Sequence, residues 1–220
     1  MDKIDINEIQ KNLTSGIIGK TLIRLETVDS TNTYASGIIN DPNKILQIPE
    51  YNGIVVISET QTKGRGRLDR KWFSPPGGIW MTIILQPNLE MIDLSKITLL
   101  SASAIAETLI KSYKLSLNIK WPNDIFFNGR KLSGILAESE KVSDVIYLII
   151  GIGINVNNDF SNYKNENLSA VSLKEITGRQ INRNLLIARI LNEFEVQYIY
   201  YTKKLDFSSI FKKIENIMIY

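Results

Sequence analysis

Asn128-Gly129 stands between two apolar-patterned runs, residues 117–127 and 131–139. Both central residues of a tight hairpin turn need positive φ, which Asn and Gly adopt at the least cost, so this pair commits the centre of the chain to antiparallel pairing. A two-residue turn also sets register, placing Phe127 opposite Arg130, Phe126 opposite Lys131 and Asp124 opposite Ser133. Asp124 and Lys131 then share a face as diagonal neighbours, ~7 to 8 Å apart at the backbone and within reach of each other's side chains. The hairpin predicts an acid beside a base. Taken alone, the pair also reads as an ordinary cross-strand ion pair worth about 0 to 1 kcal/mol.

The remaining elements are placed around this hairpin. Residues 21–26 have a strand pattern, and Asp29-Ser30-Thr31 supply N-cap residues for a short helix reaching about Ile39. Residues 53–58 and 79–86 read as strands, and a loop punctuated by Pro42 and Pro49 precedes the first of them. Residues 95–114 carry Ile97, Leu100, Ala104 and Leu109 at helical spacing. Residues 145–156 predict a strand interrupted at Gly151 and Gly153, 157–167 a polar loop, and 183–201 a second long helix ahead of a short mixed tail. This order predicts an α+β fold, a mixed and largely antiparallel sheet with helices over one face. The domain is expected over residues 1–203, with 204–220 as a short C-terminal tail.

Composition narrows the chemistry. The 220 residues are 44% hydrophobic, enough for a core without disulfide or metal staples. There is no cysteine and no histidine, which excludes thiol nucleophiles, zinc sites built on either residue, histidine bases and serine-histidine triads. The longest apolar run, residues 145–154, is well short of the roughly 20 residues that cross a bilayer, and no signal-peptide pattern opens the chain. A soluble intracellular protein is expected. A net charge of +3 does not by itself imply nucleic acid.

Two further segments can carry chemistry. In residues 61–72 (QTKGRGRLDRKW), cations alternate with glycines, so guanidinium forks and backbone N–H groups can converge on a phosphate or carboxylate. Trp72 adds a flat π-face able to stack on a purine. Gly151-Ile152-Gly153-Ile154-Asn155 ends an apolar strand with two glycines and an amide suited to a base edge. Neither glycine pair completes Gly-x-Gly-x-x-Gly, because Asp69 and Val156 occupy the third position, and no P-loop is present. Any nucleotide is held by another scheme.

Asp29-Ser30-Thr31-Asn32, Gln61 with Gly64-Arg65-Gly66-Arg67 and Arg70-Lys71-Trp72-Phe73-Ser74-Pro75, Lys120-Trp121-Pro122-Asn123-Asp124, Arg130-Lys131-Leu132-Ser133-Gly134-Ile135-Leu136, and Gly151 to Asn155 together resemble, in order and spacing, the motif series of biotin protein ligases. The resemblance spans residues 21–156. It implies a catalytic domain like those of class II aminoacyl-tRNA synthetases, a fold shared with lipoate ligases and octanoyl transferases. It implies an ATP- and Mg²⁺-dependent enzyme that makes biotinyl-5′-AMP and transfers biotin to a lysine of a biotin carboxyl carrier protein. By the same resemblance, Ser30, Thr31, Asn32 and Gln61 bind the ureido ring, and Gly64, Arg65, Gly66 and Arg67 fold over biotin and adenylate, joined by Lys131 and Gly134. Arg67, Arg70, Trp72, Asn123, Lys131 and Asn155 surround ATP or the adenylate, with Trp72 on adenine. Arg65, Lys131 and Asp124 are the catalytic candidates, and Asp124 supports Mg²⁺ or the incoming lysine.

The family pattern is not matched at either end of the chain. No helix-turn-helix domain precedes the first strand, so a single-function ligase without a DNA role is expected. Residues 206–220 are too few for the small β-barrel that follows the core in the family. Relatives pair through sheet edges or loops, which makes a homodimer an expectation, as is a cytoplasmic location. A lipoate or octanoate transferase is the nearest rival, disfavoured by the missing cysteine and by the Lys-Trp-Pro-Asn-Asp block. A nucleic-acid module using residues 63–72 is a more distant one.

Overall fold

The computed structural model describes residues 3–41, 52–87, 93–160, 169–204 and 206–219. In chain order they form α1 (Ile6–Asn12), β1 (Leu22–Val28), α2 (Thr31–Ile39), β2 (Ile54–Gln61), β3 (Ile79–Leu85), α3 (Leu94–Tyr113), β4 (Asn118–Lys120), β5 (Asp124–Phe127), β6 (Arg130–Val142) and β7 (Val145–Ile154). There follow α4 (Leu173–Thr177), α5 (Arg183–Lys204), α6 (Ser208–Ile214), a 3₁₀ turn (Glu215–Ile217) and β8 (Met218–Ile219). The strands make one mixed sheet in the order β1-β2-β3-β7-β6-β5-β4-β8. Pairing is antiparallel except at the two edges, β1 with β2 and β4 with β8. This is the α+β fold with a largely antiparallel sheet that the element order predicts.

The Asn128-Gly129 turn forms, with φ of 47° and 75°, and joins β5 to β6. Phe127 faces Arg130 and Phe126 faces Lys131, as the turn dictates. Beyond them a bulge intervenes, and Asp124 faces Gly134 instead of Ser133. A turn controls only the pairs next to it. Here the extra residue, Leu132, is fully buried in the core and shifts each later pair by one. The single strand expected over 117–127 is also broken. Trp121-Pro122-Asn123 turns the chain, with a cis Trp121–Pro122 peptide, and β4 folds back antiparallel on β5. Proline has no N–H to give a ladder, which ends the strand there.

Helices cover both faces of the sheet, not one. On the first face α3 and α5 pack together over Val55, Ile57, Met81, Ile83, Leu148 and Ile150. On the second, Ala35, Ile38 and Ile39 of α2 cover Ile54, Val56, Ile84 and Ile149. Successive residues of β2 therefore point into different cores, which accounts for an unbroken apolar run where a half-exposed strand would alternate. The helix α2 has only 9 residues, so among the described residues the rest of that face is left open. That opening holds the site.

The sequence reading has no counterpart for α1, which Asp5 caps by accepting from the Asn7 and Glu8 N–H groups. Residues 206–219 do not lie apart: Ile210 and Ile214 belong to the main core, and β8 extends the sheet beside β4. Of the loop predicted over 157–167, residues 161–167 lie outside the described residues, and 157–160 are irregular. None of the described helices is long and apolar enough to cross a membrane.

Candidate active site

At the amino end of α2 the sheet carries an open cavity of about 620 Å³. Its floor is neutral. Ser30, Thr31 and Asn32 line it, each under 5% exposed. Ser30 occupies the N-cap position but makes no cap bond through its side chain; its own N–H donates to Asp29 Oδ1 at 2.6 Å. The side-chain oxygen Oε1 of Gln61 serves the helix end instead, accepting from Thr31 N at 2.8 Å and from Thr31 Oγ1 at 3.1 Å, while Gln61 Nε2 donates to Ser74 Oγ at 2.8 Å. Thr82 Oγ1 lies 2.8 Å from Thr31 Oγ1 and 2.7 Å from Asn32 Oδ1. The result is a nest of neutral amides and hydroxyls, with the Glu138 carboxylate at its edge, 2.8 Å from Asn32 Nδ2.

Over this floor folds the segment between β2 and β3. Trp72 N donates to Gly64 O at 2.8 Å and Gly66 N to Arg70 O at 2.7 Å, so the segment closes on itself, and Leu68 and Asp69 take φ of 54° and 55° at its tip. Gly64 is required for this closure, since a Cβ there would stand 2.2 Å from Trp72 O. It is the one residue of the predicted site that does not line the cavity. Arg65, Gly66, Arg67, Arg70 and Trp72 all do. The Arg65 guanidinium forks onto Glu138 of β6, at 2.6 and 3.3 Å, and Arg67 Nη1 donates to Asn123 Oδ1 at 2.9 Å.

The hairpin supplies the third wall. Lys131 Nζ donates to Asp124 Oδ2 at 2.7 Å and sits 5.0 Å from the Trp72 ring centroid. The predicted pairing of acid and base is thus realised despite the changed register, because the bulge leaves both side chains over Gly134. Asp124 Oδ1 and Trp72 Nε1 are buried and have no hydrogen-bond partner among the described residues. Buried polar atoms of this kind are costly unless something else satisfies them. Asn123, Gly134 and Asn155 also line the cavity. The Asn155 amide is occupied: Nδ2 donates to Lys131 O at 3.2 Å and Oδ1 accepts from Asn158 Nδ2 at 3.2 Å.

The expected interruption of β7 at its glycines does not occur; the strand runs on through both. Gly151 and Gly153 are seats for side chains. A Cβ at Gly151 would stand 2.3 Å from Asn32 Oδ1, and one at Gly153 would stand 2.4 Å from Trp72 Nε1. Sequence reasoning also passed over Glu138, Thr82 and Phe160, and gave no role of its own to Ser74 within the Arg70–Pro75 block. Phe160 lines the cavity, and the others hold the residues that do. Their role depends on partners distant in sequence, so no local pattern marks them.

The cavity therefore has two unlike ends. Beside Gly151 stands the neutral Asn32 nest; beside Gly153 and Gly134 stand Trp72, Lys131 and Asp124, and Arg67, Arg70 and Lys71 add their cations to the lining. It suits a ligand with a polar neutral head joined to an anionic group, and it can hold a second anion against the first. Among the described residues no three acidic side chains gather into a metal cage. A Mg²⁺ ion bound mainly through nucleotide phosphates needs only one or two protein carboxylates, and Asp124, with its unpartnered Oδ1, fits that demand.

Comparison with known proteins agrees with this architecture. The model of the Biotin/lipoate A/B protein ligase family matches residues 25–155. The bifunctional ligase/repressor BirA of Bacillus spizizenii is 38% identical over 199 residues, covering 89% of this chain and 59% of the relative. The BirA of Escherichia coli is 31% identical over 185 residues, covering 83% of this chain and 55% of the relative. The chain thus spans little more than half the length of these curated relatives. Among solved structures, the biotin protein ligase from Aquifex aeolicus in complex with biotin and ATP superposes with a TM-score of 0.74 at 33% identity, covering 91% of this chain and 79% of that chain.

Proposed function

Because the chain belongs to the Biotin/lipoate A/B protein ligase family, we propose that it is a biotin protein ligase, joining biotin to ATP and passing the biotinyl group to a lysine of a carrier protein. The observation that carries this reading is the two-ended cavity. A neutral ureido ring matches the Thr31, Asn32 and Gln61 nest, and the carboxylate of the same molecule then reaches the cationic end, where a nucleotide phosphate can meet it. Relatives named as biotin ligases, and a neighbour solved with biotin and ATP, favour biotin over lipoate as the substrate.

In the first step a biotin carboxylate oxygen attacks the α-phosphorus, forming the mixed anhydride biotinyl-5′-AMP and releasing pyrophosphate. Bringing two anions together is the main barrier, and preorganised cations lower it. Lys131, Arg67 and Arg70 are assigned to this task, with Gly64 to Arg67 closing over the acyl group, Arg65 holding that loop through Glu138, Arg67 meeting the carboxylate and phosphate, and Gly134 admitting the ligand beside Lys131. Trp72 offers its ring to adenine, and Asn123 and Asn155 hold the nucleotide's surroundings in shape. Mg²⁺, when bound with ATP, would neutralise charge on the phosphates, which would hold most of it, with Asp124 offering one supplementary carboxylate oxygen.

In the second step the ε-amine of the acceptor lysine attacks the acyl carbon and AMP leaves. The free Asp124 Oδ1 is assigned to orient that amine or accept its proton. A cytoplasmic enzyme, acting on a biotin carboxyl carrier protein and pairing as a homodimer, is the wider form of the reading. The test is incubation with biotin, MgATP and a biotin-acceptor domain, scored by acceptor mass. A biotin-sized increase that vanishes in Lys131→Ala is expected; an unmodified acceptor, with no pyrophosphate released, rejects the reading.

A further inference from the structure

We propose that Glu138 is a positioning residue for this reaction: its carboxylate straps the arginine loop shut over the cavity and orients Asn32 beneath it, so that Arg65 acts through Glu138 while its guanidinium stays off the substrate. The inference rests on the ligase reading and deepens it.

Glu138 joins the middle of the loop to the floor, which Gln61 ties together only at the loop's ends. Glu138 Oε1 takes Arg65 Nη2 at 2.6 Å, and its Oε2 takes both Arg65 Nη1 at 3.3 Å and Asn32 Nδ2 at 2.8 Å. Arg65 belongs to the loop and Asn32 to the floor, so one carboxylate ties lid to base. Together with Leu136 O, which accepts from the same Nδ2 at the longer distance of 3.3 Å, it also sets which way the Asn32 amide points. An acceptor at Nδ2 and the Thr82 hydroxyl at Oδ1 make the flipped amide unfavourable on both sides. With Asn32 only 4% exposed and packed over Gly151, that orientation sets what the floor offers a ligand.

The loop needs such a strap. Its backbone bonds run within itself, from Gly66 to Arg70 and from Trp72 to Gly64, and do not hold it down on β6. Side chains do: Arg65 bonds Glu138 and Trp72 packs against Lys131 on β6, while Arg67 bonds Asn123 just ahead of β5. The two arginine straps differ in consequence. A neutral amide releases Arg67 readily to an arriving anion, whereas a bidentate carboxylate competes with that anion on equal terms. Arg67 is thus the arginine free to turn inward, and Arg65 is the one retained.

Exposure locates the effect. The Arg65 side chain is 49% exposed and that of Glu138 is 29%, so the pair contributes little to global stability. What it changes is the open-to-closed balance of the loop, by about fivefold for a tie of this strength.

The test uses two measurements on wild type, Glu138→Gln, Arg65→Glu and the charge-exchanged double variant Arg65→Glu with Glu138→Arg. One is the rate of tryptic cleavage at Arg67, Arg70 and Lys71 without substrates, sites that every variant keeps. The other is the rate at which preformed biotinyl-5′-AMP is released. We expect both rates to rise about fivefold in Glu138→Gln and further in Arg65→Glu, and to return to within about twofold of wild type in the exchanged pair. An exchanged pair as impaired as Arg65→Glu alone overturns the proposal, since it means that the guanidinium itself touches the substrate. Unchanged cleavage in Glu138→Gln overturns it equally. Failure of the wild type to make adenylate from biotin and MgATP instead rejects the ligase reading, while the cleavage rates still decide whether the strap exists.

Discussion

Trp72 lies against the bare backbone of Gly153, where a Cβ would stand 2.4 Å from its indole nitrogen. The same ring has Lys131 Nζ 5.0 Å from its centroid and meets Trp80 edge-on at 6.3 Å, so it cannot retreat without disturbing the wall of the cavity. Gly153→Ala is therefore expected to push Trp72 into the cavity, at a cost of about 1 to 3 kcal/mol of overpacking. If Trp72 receives adenine, the KM for ATP rises about tenfold while the KM for biotin changes little. Steady-state kinetics against each substrate check this, and equal changes in both would detach Trp72 from the nucleotide.

Asp124 holds Lys131 with one carboxylate oxygen and leaves the other without a partner among the described residues. Asp124→Asn keeps the shape and can still accept from Lys131, but loses the charge that attracts an amine or takes its proton. Transfer from preformed biotinyl-5′-AMP to the acceptor is expected to slow about 10²-fold or more, and adenylate synthesis far less. Rapid-quench measurement of the two half-reactions separates them. Equal losses in both would reject the assignment of Asp124 to transfer.

Gln61 bridges Thr31 and Ser74, so it fixes both the helix end and the start of the arginine loop. Gln61→Ala removes three hydrogen bonds in a partly buried nest, and the lost bonds to a bound ureido ring add to them. A rise of roughly tenfold in the biotin dissociation constant is expected, since one net hydrogen bond is worth about 1 kcal/mol or slightly more. Calorimetric titration with biotin alone, without ATP, isolates this effect.

How much of this was readable in advance depends on where the partners lie. The Asn128-Gly129 hairpin was legible because its turn chemistry is local, and it brought Asp124 to Lys131 even though the bulge at Leu132 was not foreseen. That bulge answers to core packing, which no turn dictates. Gly151 and Gly153 were misjudged as breaks because the groups that need their missing Cβ atoms, on Asn32 and Trp72, come from elements more than 80 residues earlier. Glu138 was invisible for the same reason: one carboxylate on a long strand carries no sign of the arginine 73 residues away that it binds. The second covered face was legible in principle, through the unbroken apolar run of β2, but that run is equally compatible with other burials.

Tyr198, on α5, gives the fold an alkaline limit. It is 6% exposed and stacks on Phe194 at 6.0 Å, and burial pushes its phenol up to about 12. Ionising a buried phenol is disfavoured, so the folded state holds its proton where the unfolded chain, near its ordinary value of about 10, has released it. The contribution to stability is fully present below pH ~10 and is lost progressively as pH rises through about 12. Two pH units of this kind correspond to at most about 3 kcal/mol. Urea unfolding between pH 9 and 12 is expected to show this loss in the wild type. Tyr198→Phe, which keeps the ring and removes the ionisable group, flattens that part of the curve and leaves stability at pH ~7 nearly unchanged. A variant whose alkaline loss matches the wild type would assign the limit to other groups, of which Tyr113, also raised by burial, is the first to substitute.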